Sequence, residues 1–369
     1  MTVAPYVPEP LPPEGIDWER HIPQIASANR ALARYDGILQ AIPNPELLLS
    51  PLLTQEAVLS SRIEGTQASL EDVLRFEANP RERINDATLA DIQEIINYRE
   101  ALNAAVDALK TRRLDTALVC DLHRILLTDS RGMDREPGCI REIQNFIGRD
   151  AYIEHAVYVP PAPGSVPGAL EDWEAYLQRE EKDVLVQLSV LKAQFELIHP
   201  FCDGNGRIGR MLVPLIMYEK GLIASPMFYI SAYLERHRPV YYERLLGVSR
   251  DRDWNSWIAF FLHAIEEQAA ENGKKAKAII DLYDEMKRTV PEVTRSQYAV
   301  AAIDAIFGTP IFSSSEFYDR SAIPKESGAK ILRDLEENDI IRLLQKGKGR
   351  KASTYVFPRL IAITEGDRL

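Results

Sequence analysis

The twelve residues His199-Pro-Phe-Cys-Asp203-Gly204-Asn205-Gly206-Arg207-Ile208-Gly209-Arg210 decide how this chain is read. Gly204-x-Gly206-x-x-Gly209 fits the bare dinucleotide fingerprint. That fingerprint requires a strand before it and an acid about 20 residues after it. Here Leu191, Phe195 and Ile198 share a helical face before the glycines, and Ala224 to Ser231 offers no acid. No Gly-Lys-Ser/Thr follows, so the Walker pattern is absent too. The segment instead reads as a helix end, a glycine-rich loop and a new helix beginning near Arg207.

Such a loop has a definite chemistry. Gly204, Asn205 and Gly206 can turn successive backbone N–H groups one way and form an anion cradle. The following helix adds its free N–H groups and the positive end of its dipole. Arg207 and Arg210, three apart, leave one face, while Ile208, Met211, Leu212 and Leu215 take the opposite, buried face. Two guanidiniums above an anion cradle describe a polyphosphate site. Asp203 stands where it could hold Mg²⁺ on those phosphates. His199 is suited to act as general base on an attacking hydroxyl. Taken singly, these features read as a packed histidine, a turn and solvated arginines. Their concurrence in twelve residues favours the site.

Outward from this segment the pattern is nearly all helical. Five prolines between Pro5 and Pro13 require an extended lead-in. Helices are expected over Ile22 to Gln40, Gln55 to Glu64, a segment begun by Ser69 and capped with Asp72, Asp86 to Leu109, and Thr116 to Leu127. Gly138 to Pro161 reads as an irregular two-stranded hairpin. Helices resume over Val166 to Arg179, Leu185 to Ile198, Ile208 to Lys220, Pro239 to Val248 and Trp254 to Gln268, followed by a charged connector from Glu271 to Arg288. Ser296 to Phe307, Ser313 to Arg320 and Pro324 to Asn338 read as short helices, with strands at Ile340 to Leu344 and Thr354 to Phe357. That order is the winged variant of helix-turn-helix.

Composition bounds the rest. The chain has 369 residues, 46% of them hydrophobic, and a net charge of −11. At about 150 residues per domain, two or three domains are expected. The acidic balance argues against a general coat for nucleic acid or anionic membrane. Cys120, Cys139 and Cys202 form no disulfide framework and no C-x-x-C pair. No signal peptide is seen at the start and no membrane span of about 18 apolar residues. A cytoplasmic protein is expected.

His199 to Arg210 resembles the signature of the Fic proteins, H-x-F-x-D/E-G-N-G-R-x-x-R, at every fixed position. The resemblance extends over most of the chain: residues 1–113 as an N-terminal helical region, 114–268 as the Fic core, 269–290 as a helical connector and 291–369 as a winged helix. It implies a mainly α fold with a β-hairpin flap. The activity implied is AMP transfer from ATP to a Ser, Thr or Tyr hydroxyl of a protein, with release of pyrophosphate. By the same resemblance His199 is the base, Asp203 binds Mg²⁺, and Gly204, Asn205, Gly206, Arg207, Ile208, Gly209 and Arg210 bind ATP. Tyr241 and Tyr242 resemble the family's paired tyrosines beside adenine; Ser249 stands where an Asn is often found. Asn145, Phe146, Ile147 and Gly148 match the tip of the flap, which aligns a target by adding it as a strand. An ordinary surface hairpin is the plainer alternative.

Ser60-Ser-Arg-Ile-Glu64-Gly65 is a second feature. A carboxylate at the negative end of a helix is locally unfavourable, and such rule-breaking can mark function. The segment resembles the family's inhibitory motif, S/T-x-x-x-E-G/N, through Ser60, Glu64 and Gly65. By that resemblance Glu64 pairs with Arg210 and blocks productive docking of the γ-phosphate. Some relatives with this Glu also remove AMP, so a bifunctional enzyme is an alternative. At the other end, Lys346, Lys348, Arg350 and Lys351 lie in the wing, where they could meet DNA phosphates. A protein-docking or dimerising module, or a DNA-binding regulator whose core senses nucleotide, are the other readings. The partners implied are ATP, a target protein that could be the chain itself, duplex DNA and a second copy, with no membrane.

Overall fold

A computed structural model describes residues 4–81, 84–128, 135–148, 150, 152–348 and 351–366; Arg350 lies outside them. In chain order the helices are α1 (Trp18–Ala41), α2 (Pro45–Leu48), α3 (Ser50–Ile63), α4 (Leu70–Ala78), α5 (Asp86–Leu109), α6 (Thr116–Leu126), α7 (Val166–Gln178), α8 (Val184–Ile198), α9 (Asn205–Glu219), α10 (Ser231–Arg236), α11 (Arg238–Asp251), α12 (Trp254–Thr294), α13 (Ala299–Gly308), α14 (Ser314–Ser321), α15 (Lys325–Glu337) and α16 (Pro358–Glu365). The strands are β1 (Ile147–Gly148), β2 (Ala156–Tyr158), β3 (Ile311–Ser313), β4 (Arg342–Gln345) and β5 (Thr354–Val356). The mainly helical expectation holds. Two compact units divide the chain. One comprises residues 1–36, 59–65 and 97–270, and the other 37–58, 66–96 and 271–369.

The first unit is built around α8, in which every residue from Leu185 to Ile198 is buried. A helix buried on all sides must be sheathed on all sides, its few polar side chains paired inside. Here α7, α9 and α11 pack on it. Asp183 caps its start, accepting from the amides of Leu185 and Val186. Trp173 and Trp257 donate their indole N–H groups to the carbonyls of Leu191 and Ser189 along it. The proline-rich lead-in is extended, as its composition requires. The Tyr6 amide donates to the Val159 carbonyl at 2.8 Å, and Trp254 Nε1 donates to Glu9 at 2.8 Å.

Between α6 and α7, β1 and β2 pair antiparallel with Ile147 opposite Tyr158 and an irregularity at Gly148. The ladder is far shorter than the span from Gly138 to Pro161. Arg141 supplies much of the fastening instead. Its guanidinium donates to the carbonyls of His199, Ile143 and Pro161, and its amide donates to Pro200. A buried cation over the last carbonyls of α8 also satisfies the helix's negative end.

The second unit packs α4 against β3, with Leu70, Leu74, Ala78, Ile311 and Ile361 in one cluster. Ser69 and Asp72 form the expected capping box on α4. Its sheet has the order β3-β5-β4 and is antiparallel throughout. Lys346, Lys348 and Lys351 are exposed on the β4–β5 connection. Sequence reading misses α16 and also β3, whose three residues carry no period. It also places a break after Gln268 where the backbone continues as the 41-residue α12. Ala269 and Ala270 are strong helix formers, and nothing there stops the ladder.

Candidate active site

A cavity of about 420 Å³ opens in the first unit, a volume in the range of small-molecule sites. His199, Glu196, Leu197, Gly206, Arg210, Tyr241, Tyr242, Leu245 and Leu246 line it, with Ile147, Gly148, Val157 and Tyr158 from the hairpin and Glu64 from the end of α3. Residues from five separate stretches of sequence thus meet at one cleft.

The turn from α8 to α9 sets the geometry. His199 caps α8 in the left-handed region, φ 51°, which swings its ring out of the helix. Its Nδ1 lies 3.3 Å from the Glu196 carbonyl. Burial holds the imidazole below its ordinary pKa, outweighing the pull of the Glu196 and Glu64 carboxylates. Gly204 then turns at φ +76°, a conformation costly for other residues, and opens α9. Asn205 does not face the cleft. Its Oδ1 accepts from the Phe201 amide and its Nδ2 donates to the Phe201 carbonyl, both at 2.8 Å, so it staples the loop closed. Ile208 is core, its amide bonded to the Gly204 carbonyl. Gly209 lies against Glu196, leaving no room there for a Cβ. Asp203 is half exposed, with Oδ1 accepting from the Gly204 amide and standing 3.6 Å from Arg207 Nη2. Arg207 is buried outside the cavity lining.

Arg210 is 1% exposed and committed to the last turn of α3 and the residue just after it. Its Nε donates to Ser60 Oγ at 2.9 Å, and its Nη2 to the Ser60 carbonyl at 2.9 Å and to Glu64 Oε1 at 2.6 Å. A Cβ at Gly206 would overlap that same Glu64 oxygen. The Glu64 carboxylate therefore lies directly on Gly206, over the first turn of α9. Burial raises its pKa, but the charge and hydrogen bond of Arg210, with Arg207 and His199, outweigh it and leave it below the usual carboxylate value. Gly65 follows at φ +110° and ends the turn.

The tyrosine pair divides its roles. Tyr241 is buried, while Tyr242 is 38% exposed at the cleft with Arg238 over its ring. Ser249 donates back to the Leu246 carbonyl of its own helix and does not line the cavity. Of the hairpin tip, Ile147 and Gly148 line the cleft. Asn145 instead donates to the Phe201 carbonyl, and Phe146 packs beside Gly148. Ile143, Ile147, Tyr152 and Val157 leave an exposed apolar edge.

His123 is a residue that sequence reading passed over. The Gly138 amide donates to its Nδ1 at 2.8 Å, which fixes the proton on Nε2, and Nε2 donates to the Asp203 carbonyl at 2.9 Å. Its ring stacks on Phe201 at 3.8 Å. Burial pushes its pKa down to about 4, so it is a neutral clamp on the loop. Its only sequence signal is a histidine on the buried face of an amphipathic helix.

Residues 22–107 match the model of the Fic/DOC family N-terminal region, and residues 113–217 match the Fic/DOC family model. The chain belongs to the Fic/DOC family. A probable protein adenylyltransferase of Aquifex aeolicus (strain VF5) is 26% identical over 312 residues, covering 82% of this chain and 83% of that protein. The protein adenylyltransferase Fic of Drosophila grimshawi is 25% identical over 211 residues, 56% of this chain. The chain spans only 40% of that fly protein's length. A crystal structure of a Fic family protein from Desulfovibrio desulfuricans G20 superposes with a TM-score of 0.59 at 21% identity, covering 94% of this chain and 98% of that one. Fic-1 from C. elegans (residues 134–508) gives a TM-score of 0.54 at 19% identity, over 71% of this chain and 74% of that one. These likenesses establish the Fic-type fold. Among the described residues no helix is long and apolar enough to cross a membrane.

Proposed function

We propose that the chain transfers AMP from ATP to a Ser, Thr or Tyr hydroxyl of a protein, releasing pyrophosphate, and that Glu64 restrains the reaction. One observation carries this reading. A carboxylate rests on Gly206 and Arg210, the place where a glycine-floored helix start and a buried guanidinium would hold a phosphate. Relatives named protein adenylyltransferases support the same chemistry.

The residues divide the work by position. An Nδ1–H directed at the Glu196 carbonyl leaves Nε2 of His199 with a free lone pair. A histidine held neutral by burial can take the proton of a hydroxyl as its oxygen attacks the α-phosphorus and pyrophosphate departs. The start of α9 and Arg210 stabilise the charge on the phosphates, and Arg207 adds to the local positive field. The half-exposed Asp203 carboxylate is a hard oxygen donor that suits Mg²⁺, which when bound would neutralise phosphate charge. The exposed apolar edge of the hairpin offers an unpaired strand to a target segment beside the cleft. With Glu64 in place the cradle is filled, and the outer phosphates cannot settle on Arg210.

The test pairs two variants with α-³²P-ATP. Glu64→Gly labels itself or a target, and Glu64→Gly/His199→Ala binds ATP but transfers no label. Transfer that survived loss of His199 would remove the base; ATP that neither bound nor reacted in Glu64→Gly would remove the function.

A further inference from the structure

Beneath the glycine floor of the cleft lies a buried charge pair that the mechanism above leaves unused. Lys192 and Glu196 are four residues apart on α8, with side chains 1% and 9% exposed and bonded to each other. Lys192 Nζ also donates to the Tyr241 hydroxyl at 3.1 Å, and that hydroxyl donates to Glu196 Oε1 at 3.3 Å. A Cβ at Gly209 would overlap Glu196 Oε1 and lie 3.1 Å from Lys192 Nζ. The pair therefore sits under the helix face that carries Gly209, with Arg210 next in sequence, and Glu196 itself lines the cavity.

A buried carboxylate is costly unless a cation or donors hold it. Glu196 has two cations to choose from. Lys192 holds it, and its charge already acts on Arg210. While Glu64 occupies Arg210, that choice has no consequence. Once Glu64 leaves, Arg210 keeps its Ser60 acceptors but has lost its carboxylate partner, and a Glu196 carboxylate that swung across would close the site again.

We propose that Lys192, aided by Tyr241, is a positioning residue that holds Glu196 away from Arg210, so that Arg210 remains available to the nucleotide's phosphates. Without Lys192, Glu196 becomes a second inhibitory carboxylate. The inference rests on the AMP-transfer reading and on release by removal of Glu64.

The test is steady-state AMP transfer by the full chain against MgATP, with thermal unfolding measured alongside. In the Glu64→Gly background, Lys192→Met raises KM for MgATP about tenfold with kcat changed less than about twofold, the pattern of lost ground-state binding. Adding Glu196→Gln, which has no charge to offer Arg210, returns KM to within about threefold of the Glu64→Gly value. An unchanged KM overturns the proposal, and so does a raised KM that Glu196→Gln leaves raised. Parallel loss of kcat and thermal stability at constant KM also overturns it, because that is what a purely structural pair would give. Should Lys192→Met fail to fold, Lys192→Leu likewise removes both the charge and the donor, and a KM unmoved by it is again contrary. A Glu64→Gly protein that neither binds nor uses ATP shows instead that the premise is wrong, before Lys192 is altered, and removes the proposal with it.

Discussion

Removing the Glu64 carboxylate should weaken the free protein and strengthen its hold on nucleotide, and both effects can be sized. Breaking one side of a fully buried ion pair costs about 3–5 kcal/mol. Glu64 keeps 36% side-chain exposure, and Arg210 retains two acceptors on Ser60. Solvent screening and those acceptors bring the expected loss to about 1–2 kcal/mol. Glycine at position 64 adds unfolded-state freedom worth about 0.4–1 kcal/mol, which Glu64→Ala as a comparator removes. The gain lies on the ligand side. Arg210 Nη2 recovers a charge-assisted bond worth about 1.5–3 kcal/mol for a phosphate oxygen, equivalent to tenfold or more in affinity. In thermal unfolding without nucleotide, Glu64→Ala therefore melts below the wild type, and saturating MgATP raises its midpoint more than it raises the wild type's. Transfer of α-³²P label rises about tenfold or more. A variant that melted like wild type, gained no extra stabilisation from MgATP and labelled no faster would refute the pairing as the restraint.

Two further outcomes follow from the loop itself. In Gly206→Ala the new Cβ collides with Glu64 Oε1, so the substitution should cost at least about 1 kcal/mol more in wild type than in the Glu64→Gly background; additive costs in a double-mutant cycle by urea unfolding would contradict the contact. For His123, the fold favours the neutral ring, so its stabilisation is complete above the unfolded pKa of about 6.5 and is lost as pH falls towards about 4. Across that window it accounts for about 3 kcal/mol, and the depressed His199 adds the same sign. His123→Gln should flatten the fall in urea stability between pH 7 and pH 4.5 without abolishing it, and parallel curves for the two proteins would rule out the clamp.

What the sequence made legible followed its strongest local signals. The glycines and arginines of His199–Arg210 and the periodicity of α5 and α8 needed no tertiary context. Ser69 and Asp72 marked the start of α4 as plainly as the finished capping box does. The direction of a side chain was not legible. Asn205 in a glycine-rich loop could serve an anion or its own backbone, and only the folded turn shows it bonded to Phe201. Lys192 and Glu196 left a faint signal, the only two charges of a mostly apolar run and four apart, but spacing alone cannot separate a buried pair from a solvated one. β3 escaped notice because three residues carry no period, and its strand character comes from pairing with β5.

The residues that reach Arg210 have an unusual address in the chain. Leu59 to Gly65 belongs to the first unit, yet residues 37–58 before it and 66–96 after it both belong to the second. The carboxylate at Glu64 is thus held on a short loan of polypeptide, anchored at both ends elsewhere. Anything that binds the second unit differently in two states can bias the Arg210–Glu64 pairing through covalent continuity alone, by its differential affinity for those states. Nucleotide on Arg210 would, by the reciprocity of linkage, bias the second unit in return.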